Sequence, residues 1–181
     1  MITKSLLVLT LVMTAGSAAQ PKVVEAVKDE SSVTYRLVHP LHVIEAVSKD
    51  VVYHLEVEPE NKKIDTVSAT VDVMTFDSGN SNRDSHAMEV IDAISFPDAS
   101  FSSTAITQTG DSLSVAGKLT FHGVTKDVVA TGAATWSPEK LNVRASFGVS
   151  LTSFQIDRPS LLMIPVNDTL TFSLVAAFGL K

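Results

Sequence analysis

The stretch Ser112-Leu113-Ser114-Val115-Ala116-Gly117-Lys118-Leu119-Thr120-Phe121-His122-Gly123-Val124 decides the fold class. Leu113, Val115, Gly117, Leu119 and Phe121 alternate with Ser112, Ser114, Lys118, Thr120 and His122. A period of two is the signature of a strand with one apolar face. Gly123 then marks a turn, and the chain resumes with another β-rich run.

The same period extends in both directions. Upstream, Val33, Tyr35 and Leu37 form one apolar row, Val51, Tyr53, Leu55 and Val57 a second, and Val67, Ala69, Val71 and Val73 a third. Downstream lie Leu141, Val143, Ala145, Phe147, Val149 and Leu151, and then Leu170, Phe172, Leu174, Ala176 and Phe178. Turn signals at Gly110-Asp111 and Ser137-Pro138-Glu139-Lys140 separate consecutive rows, which makes an antiparallel meander. Amphipathic strands of this kind must pair as two sheets or close on themselves, and sequential hairpins favour an all-β, eight-stranded up-and-down barrel.

Two segments break the rhythm. Ser81-Asn82-Arg83-Asp84-Ser85-His86 opens with capping residues, and Ala87, Met88, Val90, Ile91 and Ile94 follow at helical spacing. This predicts one short helix between strands, ending before Pro97. The segment from Asp157 to Pro165 contains Leu161, Leu162, Met163 and Ile164, too apolar to float free, and is read as a loop or a helical turn over an opening.

Composition removes several function classes. The 181 residues include no cysteine, which excludes thiol catalysis, thiolate zinc sites and disulfide scaffolds. A net charge of -6 argues against nucleic-acid binding and against electrostatic attachment to anionic lipid. At the amino terminus, Lys4, an apolar run and Ala15-Gly16-Ser17-Ala18-Ala19 read as a signal peptide at residues 1–19, leaving one domain at 20–181. Export to the periplasm or beyond, with no stable membrane anchor, is the expectation.

The interior admits two readings. Val128-Val129-Ala130-Thr131-Gly132-Ala133-Ala134-Thr135 is small on both faces, and Gly117 and Gly148 interrupt apolar rows. Such positions mark bends in a coiled sheet, or they leave a lumen for an elongated apolar ligand. Under the second reading the lining residues are Tyr35, Leu37, Tyr53, Leu55, Val71, Val73, Leu119, Phe121, Phe147, Leu151, Phe172 and Leu174, joined by Met88 and Ile91 from the helix and Leu161 and Leu162 from the late loop.

Chemically active constellations are sparse. His39-Pro40-Leu41-His42 would converge on a metal only if the proline bends the chain, so no metal and no cofactor are expected. Asp84 and His86 could serve a hydrolase or isomerase acting on lipid. The structural reading places Asp84 near a helix N-terminus, Arg83 against a carboxylate and His86 on backbone. Arg83, His86 and Arg158 are the groups available to a charged headgroup, and a third reading is a packed structural or adhesion domain. Neither a nucleophile elbow nor a phosphate loop is present in the sequence.

Three ordered blocks resemble the YceI-like family of secreted, lipocalin-like proteins. Phe76-Asp77-Ser78-Gly79-Asn80-Ser81-Asn82-Arg83-Asp84-Ser85-His86-Ala87-Met88 with Phe96-Pro97 is similar to its central signature. Val115 to Lys126 resembles the second, and Phe147-Gly148-Val149-Ser150-Leu151 with Arg158-Pro159-Ser160 and Asp168 the third. The resemblance implies an extended eight-stranded antiparallel barrel in the bacterial periplasm. It further implies a lumen that binds polyisoprenoid, isoprenoid quinone or a similar long-chain lipid, without a catalytic set. The opening departs from the family, with Glu30 to Tyr35 lacking its Trp and His-Ser pair and Ala46 standing where a Gly is usual. An apolar barrel mouth is also compatible with a homodimer.

Overall fold

Each alternating row becomes a strand. The computed structural model describes residues 20–181, and the leader expected at 1–19 lies outside the described residues. In chain order the elements are β1 (Lys22–Glu25), β2 (Ser32–His39), β3 (His42–Ser48), β4 (Val52–Glu58), β5 (Lys63–Asp72), helix α1 (Ser81–Val90), β6 (Asp98–Thr109), β7 (Ser112–Phe121), β8 (Val124–Trp136), β9 (Lys140–Ser150), β10 (Ser160–Leu161), β11 (Ile164–Pro165) and β12 (Thr169–Gly179). Ten of the strands form one antiparallel sheet in the order β1-β4-β5-β6-β7-β8-β9-β12-β2-β3.

The sheet curls until its edges meet. Beyond β1, Ala26 donates to Tyr53 O (3.0 Å) and Val27 to Ala177 O (2.7 Å), so this short segment bridges β4 and β12. At the other edge, Val47 of β3 and Asp77 exchange two backbone bonds of 3.0 Å. Closure of this kind leaves little unpaired strand edge.

The all-β barrel with one helix stands, with ten strands in its sheet instead of eight. β1 has four residues and too little alternation to read. In β3, Val43 and Val47 lie on the outer face opposite Ile44 and Ala46, and apolar residues on both faces hide the period. The late apolar segment is neither plain loop nor helical turn, because Ser160 pairs with Pro165 and Leu161 with Ile164 in a two-stranded hairpin.

Two strand glycines prove to serve packing. A Cβ on Gly117 would lie 2.4 Å from Phe101 Cζ, so the Phe101 ring already fills that gap. A Cβ on Gly132 would lie 1.9 Å from Arg144 O, a close approach of β8 and β9 that needs a bare Cα. The lumen is therefore not opened by these residues.

The core divides into two clusters along the barrel. One gathers Tyr53, Leu55, Leu113, Val115, Leu141 and Phe178 at the β1 end. The other gathers Leu37, Val73, Phe121, Leu151, Phe154 and Leu170 towards α1.

Candidate functional site

Helix α1 and the β10–β11 hairpin sit over the second cluster, and a cavity of about 510 Å³ lies beneath them. Its walls include Tyr35, Leu37, Ile44, Val71, Val73, Phe121, Leu151, Leu170 and Phe172 from the barrel, with Ala87, Met88 and Ile91 from the helix and Leu161 from the hairpin. A second, wholly apolar chamber of about 110 Å³ continues towards the β1 end, lined by Tyr53, Leu55, Leu119, Phe147 and Leu174 among others. Val71, Ala99, Phe121 and Phe172 belong to both walls, so the two chambers are neighbours across these side chains. Two apolar chambers thus lie side by side within the barrel.

Local sequence explains the helix at its mouth. Asn80 caps α1, its side chain accepting from Arg83 N at 3.1 Å. Asp84 accepts from the backbone N and the hydroxyl of Ser78. Arg83 donates from Nε to Ser78 Oγ (2.8 Å) and from Nη2 to Ser78 O (2.7 Å). The guanidinium thus folds back on the loop before the helix instead of pairing with a carboxylate as expected. His86 lies on the exposed face with Nδ1 3.7 Å from Glu89 Oε2, not on backbone. Asp84 and His86 do not bond to each other, since residues two apart on a helix point to different sides.

Asn80, Asn82, Arg83, Asp84 and His86 nevertheless give the cavity a polar rim. Tyr35 reaches towards it from β2. Burial pushes its phenol pKa up, Asp84 adds to the rise and Arg83 opposes it. The phenol thus stays neutral and can donate or accept a hydrogen bond.

His39 continues the inward phase of Tyr35 and Leu37 and is 2% exposed. Pro40 and Leu41 turn the chain, bringing the His39 and His42 rings to 5.0 Å between centroids. Both nitrogens of His39 are nonetheless engaged by protein. Nδ1 accepts from Leu41 N (3.1 Å), which leaves Nε2 to donate to Ile164 O (2.9 Å). His39 is thereby a strut between β2 and the hairpin. Strand phase alone carried the signal for it, as it did for Val33, Ala99 and Ile44, which also line the space.

One expected lining residue, Leu162, and one expected headgroup residue, Arg158, fall elsewhere. Leu162 sits at the hairpin tip, 77% exposed, and touches neither chamber. Arg158 spends its guanidinium on Val166 O (2.8 Å from Nε), bracing the hairpin from below. Among the described residues no helix is long and apolar enough to cross a membrane.

Comparisons with known proteins agree with this architecture. The family model described as YceI-like domain matches residues 25–178. Protein YceI of Salmonella newport (strain SL254) is 28% identical over 157 residues, which cover 81% of this chain and 82% of that protein. The crystal structure of BcnA from Burkholderia cenocepacia superposes with a TM-score of 0.76 at 19% identity, over 84% of this chain and 98% of the other. A domain from Saccharophagus degradans, described as polyisoprenoid-binding and implicated in plant cell wall breakdown, gives a TM-score of 0.63 at 10% identity over 88% and 99% of the two chains.

Proposed function

The chain belongs to the YceI-like domain family, and from that premise we propose that it binds a long-chain amphiphile, of the polyisoprenoid or isoprenoid-quinone class, inside its barrel. The observation that carries this reading is the chemistry of the interior: two adjacent apolar chambers that share Val71, Ala99, Phe121 and Phe172 in their walls. A hydrocarbon tail is extended and offers no hydrogen bonds. Each methylene that leaves water gains about 0.8 kcal/mol, so affinity grows with buried length. The description of the Saccharophagus degradans domain as polyisoprenoid-binding supports the same ligand class.

The orientation follows from the polar rim. The tail enters through the wider chamber, and the head stays at the mouth near Tyr35, Arg83 and Asp84. There the neutral Tyr35 hydroxyl can meet a carbonyl or a phosphate oxygen. Carriage or storage of such a lipid in the periplasm is the role that suits an exported binding protein.

The test is extraction. Protein purified from its own host is expected to release a long-chain lipid into organic solvent, and emptied protein to take up polyprenyl or quinone probes. Leu119→Trp and Phe172→Trp each place an indole in the lumen and should lower that uptake. Lipid-free protein that also ignores both probes would overturn the reading, as would unchanged uptake in both variants.

A further inference from the structure

The β10–β11 hairpin turns through Leu162 and Met163, whose φ values are +53° and +64°. Two positive φ angles in a two-residue loop are those of the type I′ turn, which asparagine, aspartate and glycine adopt readily and branched or bulky residues do not. Another turn with two positive φ angles, between β7 and β8, uses His122-Gly123 with φ of +49° and +70°. At the tip the chain instead carries two large apolar residues in strained backbone, and they are 77% and 97% exposed. Strain and exposed apolar surface together are a cost that the fold itself does not require.

The arms of the hairpin are braced below its tip. His39 donates to Ile164 O, Arg158 to Val166 O, and Val166 N bonds Pro159 O at 2.9 Å. Through His39 the hairpin is tied to the β2–β3 turn, where Leu41 is 60% exposed. Leu161, one residue before the tip, lines the cavity mouth. No charged side chain occurs between Pro159 and Asn167.

We propose that this hairpin tip, Leu162 and Met163, together with the exposed Leu41 of the β2–β3 turn to which the hairpin is tied, docks the protein onto the surface of a lipid bilayer by inserting into the headgroup–acyl boundary, with the cavity mouth facing the lipid. The choice of a bilayer as occupant rests on the lipid-binding reading, and two further arguments support it. A stable protein partner needs roughly 800 Å² on each side, far more than two or three projecting side chains supply. A bilayer can be gripped by a few apolar side chains at its interface. Charge points the same way, because a chain of net charge -6 gains nothing from anionic headgroups and an uncharged tip suits a neutral surface. Docking is therefore hydrophobic, reversible and insensitive to salt.

The experiment is flotation with phosphatidylcholine vesicles, using protein in the form released by its exporting host, wild type and variants alike. Wild type is expected to float with the vesicles equally at low and high salt, with no increase when phosphatidylglycerol is added. The double substitution Leu162→Asn with Met163→Gly supplies the residues a type I′ turn prefers, so it should raise thermal stability while lowering vesicle binding at least tenfold. Uptake of a quinone probe from detergent solution is measured on the same samples and should be unchanged. Vesicle binding that survives the double substitution, or that vanishes at high salt, overturns the docking proposal while leaving the cavity reading intact. Concentration-dependent dimers that the substitution abolishes, without vesicle binding by wild type, would assign the tip to a second copy instead. Failed probe uptake in wild type that still floats would strike the cavity reading and not the docking.

Discussion

Phe96 packs edge-on against His122, ring centroids 4.8 Å apart at an interplanar angle of 62°, and occupies the space that a Cβ on Gly123 would need. That Cβ would stand 2.5 Å from Phe96 Cε1, at a residue whose φ is +70°. His122 is fixed in turn by Nδ1 donating to Phe154 O at 3.0 Å. The β7–β8 turn, the segment after α1 and the loop after β9 therefore meet at one point near the helix end of the barrel.

Gly123→Ala combines a left-handed backbone with a collision, and should cost about 2–4 kcal/mol. Gly110 gives the contrast: its φ is +59° but nothing lies within 4 Å of a Cβ built there, so Gly110→Ala should cost only about 1–2 kcal/mol. Urea denaturation of both variants measures the difference. Equal losses would show that Phe96 yields freely and that the three-way contact carries no stability.

The barrel was legible because its strands keep one face wet. Leu113 to Phe121 and Leu141 to Val149 alternate in sequence as they do in burial. β3 escaped because its outer face carries Val43 and Val47, and β1 because four residues hold too few alternations. Most cavity residues follow from phase alone, which is why Tyr35, Tyr53, Phe147 and Phe172 sit on its walls. What phase cannot show is how loops fold back. Leu162 looked like lining because it is apolar, yet a reversal between Leu161 and Ile164 turns it to solvent. Arg83 looked like an ion-pair partner, yet the loop before α1 offers it the hydroxyl and carbonyl of Ser78.

Tyr53 links stability to alkaline pH. Its hydroxyl donates to Ser32 O at 3.0 Å, and burial pushes its pKa well above the ordinary value of 10.0. The folded state thus holds a proton that the unfolded chain releases first. Its contribution is complete below the unfolded pKa and is lost as pH rises above it. Tyr53→Phe should cost about 1 kcal/mol at neutral pH. Above pH ~10 the variant should lose stability less steeply than wild type, with a residual slope because burial raises the Tyr35 pKa as well. Parallel pH–stability curves for the two proteins would disprove the linkage.

Asp84 should matter more to the mouth than His86. The carboxylate of Asp84 holds Ser78 by its backbone N and hydroxyl, and Ser78 holds Arg83, so Asp84→Ala is expected to cost about 1–2 kcal/mol. His86 borders the cavity but its imidazole pairs with Glu89 at the exposed side of the rim, and His86→Ala should stay within about 0.5 kcal/mol of wild type. Thermal unfolding reads both. Ligand off-rates should rise more for Asp84→Ala than for His86→Ala, since Asp84 holds Ser78 and through it Arg83 on the rim. A turnover of lipid that His86→Ala abolishes would instead return that residue to chemistry.

A tail long enough to pass from one chamber to the other between their shared residues predicts a length sieve. Ala99 lines both chambers and opposes Val71 across the β5–β6 pair, so Ala99→Phe puts a ring where a tail must pass. The wider chamber of about 510 Å³ stays open to short chains, while the inner one of about 110 Å³ is cut off. Each methylene kept out of the inner chamber forfeits about 0.8 kcal/mol, and two of them already amount to roughly tenfold in affinity. Quinones with short and long isoprenoid tails, titrated against wild type and Ala99→Phe, should diverge: affinity that climbs with tail length in wild type should level off in the variant. If instead the two proteins show the same dependence on length, the tail does not pass between the chambers and the inner chamber is only a packing defect.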